Sequence, residues 1–300
     1  MAVAAQRRQT TVAAGARRGS FAAWAQKHGI RSVVMSVGLG LFTIWTLFPF
    51  LWIILTAIKP NKELYTSDAA IWPKAPTAVH FEQILGKTNF ITYFKNSLYV
   101  SISTTIIAMV IGVLAAYALT RLTFRGRTFV ARSVIFTYLI PGSLLFIPVF
   151  QIANNLQLTN RTEGLIVIYL IHSVPFCTWL AISYFNTIPG ELEDAALVDG
   201  ATRMQSLVRV IIPLALPALA VIALYAFTQS WNEFLFALLL ISRDTQKTIP
   251  AGLAGLINGD VYQWGALMAS SLLASVPPIL IYLAAQKWVV SGLAGGAVKG

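Results

Sequence analysis

The sequence predicts an all-α integral membrane protein with six transmembrane helices and both termini on the cytoplasmic side. Three observations lead there. The 300 residues are 57% hydrophobic and 11% charged, with a mean hydropathy of +0.70, whereas soluble domains carry about 25% charged residues. The apolar runs are continuous rather than alternating, which favours helices over a β-barrel. The basic residues gather on one side of those runs.

Six stretches are long enough to cross a hydrocarbon core of about 30 Å as helices: 32–58, 93–119, 131–153, 164–185, 210–241 and 265–289. The fifth exceeds one crossing, so its first turns are assigned to the segment before it. Residues 1–31, rich in Ala, Arg, Gly, Ser and Thr, read as a disordered basic cytoplasmic arm, and residues 32–300 as the six-span domain. The run after the arm is too extended for a cleaved signal peptide, so the first span reads as a retained anchor. Residues 59–92 form the largest extracytoplasmic loop, long enough for a small cap.

Charge sets the orientation. Arg7, Arg8, Arg17, Arg18, Lys27, Arg31, Arg121, Arg125, Arg127, Arg132, Arg203, Arg209, Lys287 and Lys299 fall on one side, fourteen against eight on the other. The richer side should be cytoplasmic. The net charge of +11 is thereby explained by membrane orientation, and nucleic acid is not an expected partner. The single cysteine, Cys177, lies inside an apolar run, which leaves no disulfide framework and no thiolate metal cluster.

One polar, acidic island stands between the fourth and fifth spans: ELEDAALVDGATRMQSLVRVIIP, 191–213. Pro189 can open a helix, because its missing N–H is not needed in the first turn. Glu191, Glu193 and Asp194 then lie at the positive end of that helix. Leu192, Ala195 and Ala196 share a face that the alanines keep flat. Gly200 sits where a helix ends in a left-handed residue. Thr202 with Gln205 has the form of a capping box and should start a second helix, and Pro213 marks its entry into the bilayer. From spacing alone, a docking element and a plain solvated hairpin are equally compatible with these residues.

This island resembles the EAA loop of membrane subunits in bacterial ABC importers, whose pattern is E-A-A, three residues, Gly, nine residues, I-x-L-P. Asp194, Ala195, Ala196, Gly200, Val210, Ile212 and Pro213 occupy those positions, with Asp for Glu, Val for Ile and Ile for Leu. WNEFLFAL (231–238), WGALMAS (264–270) and QKWVVSGLAGGAVKG (286–300) are similar to the maltose-type, carbohydrate-importing branch. The resemblance covers about residues 33–300; the basic arm has no counterpart.

The resemblance implies a type I ABC importer permease fold and a set of partners. These are a second permease forming a heterodimer, two copies of a cytoplasmic ABC ATPase, an extracytoplasmic solute-binding protein and the lipid bilayer of a bacterial cytoplasmic membrane. It implies an ATPase-coupling element at Glu193, Asp194, Ala195, Ala196, Gly200, Ala201 and Pro213, and a C-terminal tail, with Gly296 and Lys299, reaching toward the ATPases. The cargo it implies is a carbohydrate, an oligosaccharide or related polyol. No G-x-x-x-x-G-K-[ST] loop occurs, so ATP and Mg are expected on the partner ATPase and no cofactor on this chain. No H-E-x-x-H, Cys/His cluster or G-x-S-x-G elbow occurs either, so no catalytic and no metal-binding residue is assigned.

Polar groups within the spans are few. Glu233 facing lipid at the bilayer centre would cost about 2.5–3.5 kcal/mol, so it should face a partner helix, the water path or the outer interface. Trp231, Asn232 and Glu233 either contact a sugar or fix a subunit interface, and the interface reading is preferred. His172 reads as a structural, hydrogen-bonded residue rather than a proton relay. Pro141, Gly142, Pro148, Pro175, Pro277 and Pro278 can bend helices. Two rivals remain: a same-family permease for a non-sugar cargo such as a glycerol-phosphate diester or amino sugar, and an ion-coupled secondary transporter. The second would show paired ionisable groups within the spans and internal repeats, and this chain shows little of either.

Overall fold

The computed structural model describes residues 20–66, 70–258 and 261–297. The chain divides into two units, residues 1–55 and 56–300. The first unit is carried by α1 (Ser20–Ala57), whose helical path is interrupted at Gly29, where φ is 73°. From Ser32 to Ala57 this helix is long and apolar enough to cross a membrane.

The second unit opens with α2 (Asn61–Leu64) and α3 (Val79–Lys87). Its bundle is then built from α4 (Phe90–Arg121), α5 (Arg127–Leu139), α6 (Phe146–Asn155) and α7 (Thr162–Phe185). Two short helices follow, α8 (Glu191–Val198) and α9 (Arg203–Ser206). After them come α10 (Ile212–Asn232), α11 (Leu235–Leu240), α12 (Ile249–Leu253) and α13 (Trp264–Ala297). The two-residue strands Ile257–Asn258 and Val261–Tyr262 pair antiparallel before α13.

Four of the expected spans are single helices, 32–57, 90–121, 162–185 and 264–288, and the fifth, expected over 210–241, is a helical path over 203–232. At 1.5 Å per residue, the 32 residues of α4 run about 48 Å, so its ends pass beyond a hydrocarbon core of about 30 Å. The third expected span, 131–153, is not one helix. It breaks between α5 and the turn at Gly142, and the two pieces meet at 89°. Pro141 causes the break: it has no N–H to continue the ladder, and it holds Ile140 extended at φ −71°, ψ 120°. Pro175, Pro277 and Pro278 sit inside continuous helices. Pro148 occupies the first turn of α6, where no amide donor is needed.

The fifth span also ends early. Glu233 leaves the helix at φ −67°, ψ 120°, and α11 starts two residues later. Its carboxylate accepts the amide protons of Leu235, Phe236 and Ala237 at 3.1–3.2 Å, which satisfies donors a new helix start would leave orphaned.

Helices α4, α7 and α10 form the centre, packed through Ala108, Ala116, Tyr117, Cys177, Ala181, Phe185, Ile211 and Ile222, all buried. Small residues set how closely the helices approach, since lipid tails are as apolar as the helices and packing must drive association. At Gly112 a Cβ would lie 2.7 Å from the Cβ of Cys177, so α4 and α7 meet almost backbone to backbone there.

The end of the bundle that holds Phe90 and Thr162 is closed by a polar cap. His80, buried, bonds the Lys59 carbonyl at 2.8 Å, and Lys59 Nζ donates to the Ala70 carbonyl at 2.5 Å. Asn160 Oδ1 accepts the amides of Ser242 and Arg243, each at 2.8 Å. Within residues 59–92, α2 and α3 are the helical pieces.

Candidate coupling segment and membrane cavity

At the opposite end of the bundle, α8 and α9 form the acidic island. The chain is still turning at Thr187 and Ile188, whose amides bond back to Tyr184 and Phe185, so α8 begins at Glu191 rather than at Pro189. It ends as its sequence predicts: Gly200 is left-handed at φ 87°, its amide bonds the Leu197 carbonyl, and Ala201 N–H bonds the Ala196 carbonyl. This pair of bonds is a Schellman motif. The capping box is also present, with Gln205 N–H donating to Thr202 Oγ1 at 3.3 Å and Thr202 N–H donating to Gln205 Oε1 at 2.8 Å.

Between α9 and α10 the helix widens to a π turn over Leu207–Ile211. Pro213 follows within the first turn of α10, where its ring would crowd the Arg209 carbonyl of a regular α-helix. Pro213 is therefore not a helix start but lies within a continuous helical path whose irregular turn it accompanies.

The two sides of α8 differ in character. Outward lie Glu191, Leu192, Asp194, Ala195, Val198 and Asp199, with Val198 87% exposed and Ala196 half-buried beside them. Inward lies Glu193, 3% exposed. Its placement with the docking residues does not match this direction: the carboxylate reaches into the bundle, where Tyr117 Oη donates to Oε1 at 2.5 Å. Arg121 Nε lies 3.4 Å from Oε2, and a guanidinium nitrogen of Arg203 lies 3.7 Å from Oε1. Arg121 also donates to the carbonyls of Phe185 (3.0 Å) and Ile188 (2.7 Å), closing the C-terminal end of α7. By residue order alone Arg121 is only an orienting charge, and Tyr117 on its own carries no local signal. Their i, i+4 spacing on α4 was a signal that they share a face, but nothing local pointed to an acid 72 to 76 positions on.

Gly296 falls in the last turn of α13, and Lys299 lies outside the described residues. The basic arm before Ser20 also lies outside them.

A second feature is a cavity of about 570 Å³, open on one side, where the broken span meets α7, α10 and α11. Its lining includes Tyr138, Tyr169, His172, Tyr225, Gln229, Asn232 and Glu233. The hydroxyls of Tyr138 and Tyr225 lie 2.8 Å apart, and Gln229 Nε2 donates to the latter at 3.1 Å. The Tyr225 ring stacks on Phe176 at 3.7 Å. Asn232 and Glu233 reach this cavity; Trp231 does not. Trp231 is 4% exposed, stacks on Phe227 at 5.6 Å and donates its indole N–H to the Ala274 carbonyl at 3.1 Å, tying α10 to α13. The break at Pro141 brings Gly142 and Ser143 into the lining, which a straight third span would not do.

A bundle of membrane-spanning helices, with a folded acidic segment at one end and a cavity carrying several polar groups between its helices, suits a membrane transport subunit. The chain belongs to the family described as "Binding-protein-dependent transport system inner membrane component", whose model matches residues 108–295. It is 37% identical over 276 residues to the inner membrane ABC transporter permease protein YcjP of Escherichia coli, covering 91% of this chain and 99% of that one. It is 32% identical over 275 residues to the trehalose/maltose transport system permease protein MalG of Thermococcus litoralis, covering 90% and 98%. Among solved structures, a bacterial ABC transporter involved in import of the acidic polysaccharide alginate superposes with a TM-score of 0.76. That match is 24% identical and covers 87% of this chain and 96% of that one, a likeness of fold.

Proposed function

We propose that this chain is one of two permease subunits of a carbohydrate importer, and that it is driven through its 191–206 segment by ATP hydrolysis on a separate ATPase. The observation that carries this reading is the construction of α8. One side is fixed inward by Glu193, and the other presents Leu192, Ala195 and Val198 among acids to solvent. Leu192, Ala195 and Val198 together leave an exposed, partly apolar strip among acids, a surface that suits a protein partner.

The cargo reading is supported by the trehalose/maltose name of the MalG relative and by the cavity lining. Phenol, amide and hydroxyl groups around aromatic faces suit a polyhydroxylated ring, because hydroxyls find donors and acceptors and the apolar ring face stacks. The lining contains no Lys or Arg among the described residues, which favours a neutral sugar over a phosphodiester cargo. On this reading a second, different permease completes the path. The 191–213 segment and both termini face the cytoplasm of a bacterial cell, and a solute-binding protein delivers cargo at the capped end. Two ATPase chains holding ATP and Mg take up the exposed face of α8.

The test is purification of the chain from its native membrane in mild detergent, followed by mass spectrometry and reconstitution into liposomes. An ATPase with a phosphate loop, a second six-span chain and ATP-dependent uptake of a labelled sugar are the expected outcome. Recovery of the chain alone, under conditions that keep other such complexes whole, overturns the reading.

A further inference from the structure

The acidic segment is joined to the bundle in two unlike ways. Toward α4 and α7 the joint is charged and directional. Glu193 is clasped by Tyr117 and Arg121 from the last turns of α4, and the same Arg121 holds the Phe185 and Ile188 carbonyls at the end of α7. Such bonds weaken steeply with misalignment, so the carboxylate and guanidinium fix angle as well as distance. Burial of Glu193 adds to this, because a buried carboxylate that loses its partners has no water to replace them.

Toward α10 the joint is the π turn Leu207–Ile211, followed by Pro213. A π turn departs from the regular i→i−4 ladder, and such turns occur frequently at functional sites. Its inward residues, Leu207 and Ile211, sit among apolar side chains, contacts that have no preferred direction.

We propose that Glu193 and Arg121 are positioning residues that make α8 travel as one body with α4 and α7, while the π turn absorbs its motion relative to α10. This rests on the reading of α8 as the ATPase-coupling helix. Neither residue needs to touch the ATPase or the cargo; their role is to convert a push on α8 into movement of the two central spans. A clasp with a purely structural role would stabilise the fold but leave the cargo moved per ATP unchanged.

The experiment uses the wild-type complex in liposomes, with spin labels on Glu191→Cys and Leu114→Cys, and separately on Glu191→Cys and Leu214→Cys. Leu114 on α4 and Leu214 on α10 are both exposed, and the single native cysteine, Cys177, is buried. Between the ATP-free and ATP-trapped states, the 191–114 separation should hold and the 191–214 separation should shift. In Glu193→Gln the 191–114 distribution should broaden and the cargo carried per ATP hydrolysed should fall about fivefold or more, the lower end of ordinary coupling free energies. If Glu193→Gln does not assemble, Tyr117→Phe removes only the phenol donor and is read the same way. A wild-type 191–114 separation that shifts as much as 191–214, or a variant with normal cargo per ATP, overturns the proposal. Wild-type chain that purifies without an ATPase overturns the parent reading first, and the proposal with it.

Discussion

Asp244 accepts the hydroxyl proton of Tyr93 at 2.7 Å, binding the turn after the fifth span to the first turn of the second. Asn89 Nδ2 donates to the other carboxylate oxygen at 2.5 Å, and Lys247 Nζ lies 3.1 Å from the first. These bonds, led by those from Asn89 and Tyr93, hold the Asp244 carboxyl below the usual carboxylate range. A carboxyl with a depressed folded-state pKa contributes stability above its unfolded value of about 3.9 and loses it as the pH falls through the folded value. The cap should therefore loosen in acid below about pH 4. Hydrogen-exchange protection factors of the Asn89 and Lys247 segments, which correct for the slower intrinsic exchange in acid, should fall in the wild type below about pH 4. Asp244→Asn, with no charge to lose, should remove that acid-dependent step.

Gly200 has nothing within 4 Å of where a Cβ would stand, so space is not what requires glycine there. Its φ of 87° is the constraint, because a β-branched residue in that region costs about 1–3 kcal/mol. Gly200→Val should shift the end of α8 and reduce coupled uptake while the chain still inserts at normal levels. Gly200→Asn, which tolerates left-handed backbone, should retain most uptake. Equal uptake by the Val variant and the wild type, at equal amounts of assembled complex, would count against a coupling role for this turn.

Trp231 and Asn232 are neighbours in sequence with separate tasks. Trp231→Phe deletes the bond to the Ala274 carbonyl and should cost about 1 kcal/mol, seen as a lower melting temperature in detergent with unchanged apparent cargo affinity. Asn232→Ala should do the reverse, altering cargo affinity with little change in melting temperature. A loss of cargo affinity in Trp231→Phe alone would return the indole to the substrate path.

Gly112 marks the closest approach of α4 to α7. Adding one methyl there meets the Cβ of Cys177 at 2.7 Å and its carbonyl carbon at 3.2 Å, so a backbone has to move. Gly112→Ala should destabilise by about 1–3 kcal/mol, and Gly112→Leu should leave little folded chain. Fluorescence-detected size-exclusion profiles of the two variants would show a graded loss of the monodisperse peak. Indistinguishable profiles would mean that the two spans are not packed at this point.

The membrane-spanning character, the approximate ends of four spans and the turn chemistry of the acidic island were all readable from residue order. Each rests on a local rule: a length set by the bilayer, a glycine at positive φ, a Thr and Gln three residues apart. Where a local rule met a competing one, the outcome was not readable. Pro141 and Pro175 look alike as residues in apolar runs, yet one breaks its helix by 89° and the other lies within a continuous one. The difference lies in what surrounds each: neighbouring helices decide whether freed backbone groups are satisfied in place.

Glu193 and Asp194 make the same point at the scale of one residue. Adjacent acids at the start of a helix are equivalent in sequence, since both complement its dipole. One helical step of about 100° separates them, and it turns Glu193 onto Tyr117 and Arg121 while Asp194 stays in solvent. Residue order was enough to place an acidic helix between two spans, because bilayer thickness and backbone geometry act on neighbours along the chain. Which acid anchors that helix was decided only when α4, α7 and α8 came together, because a buried carboxylate is stable only where distant parts of the chain bring it donors.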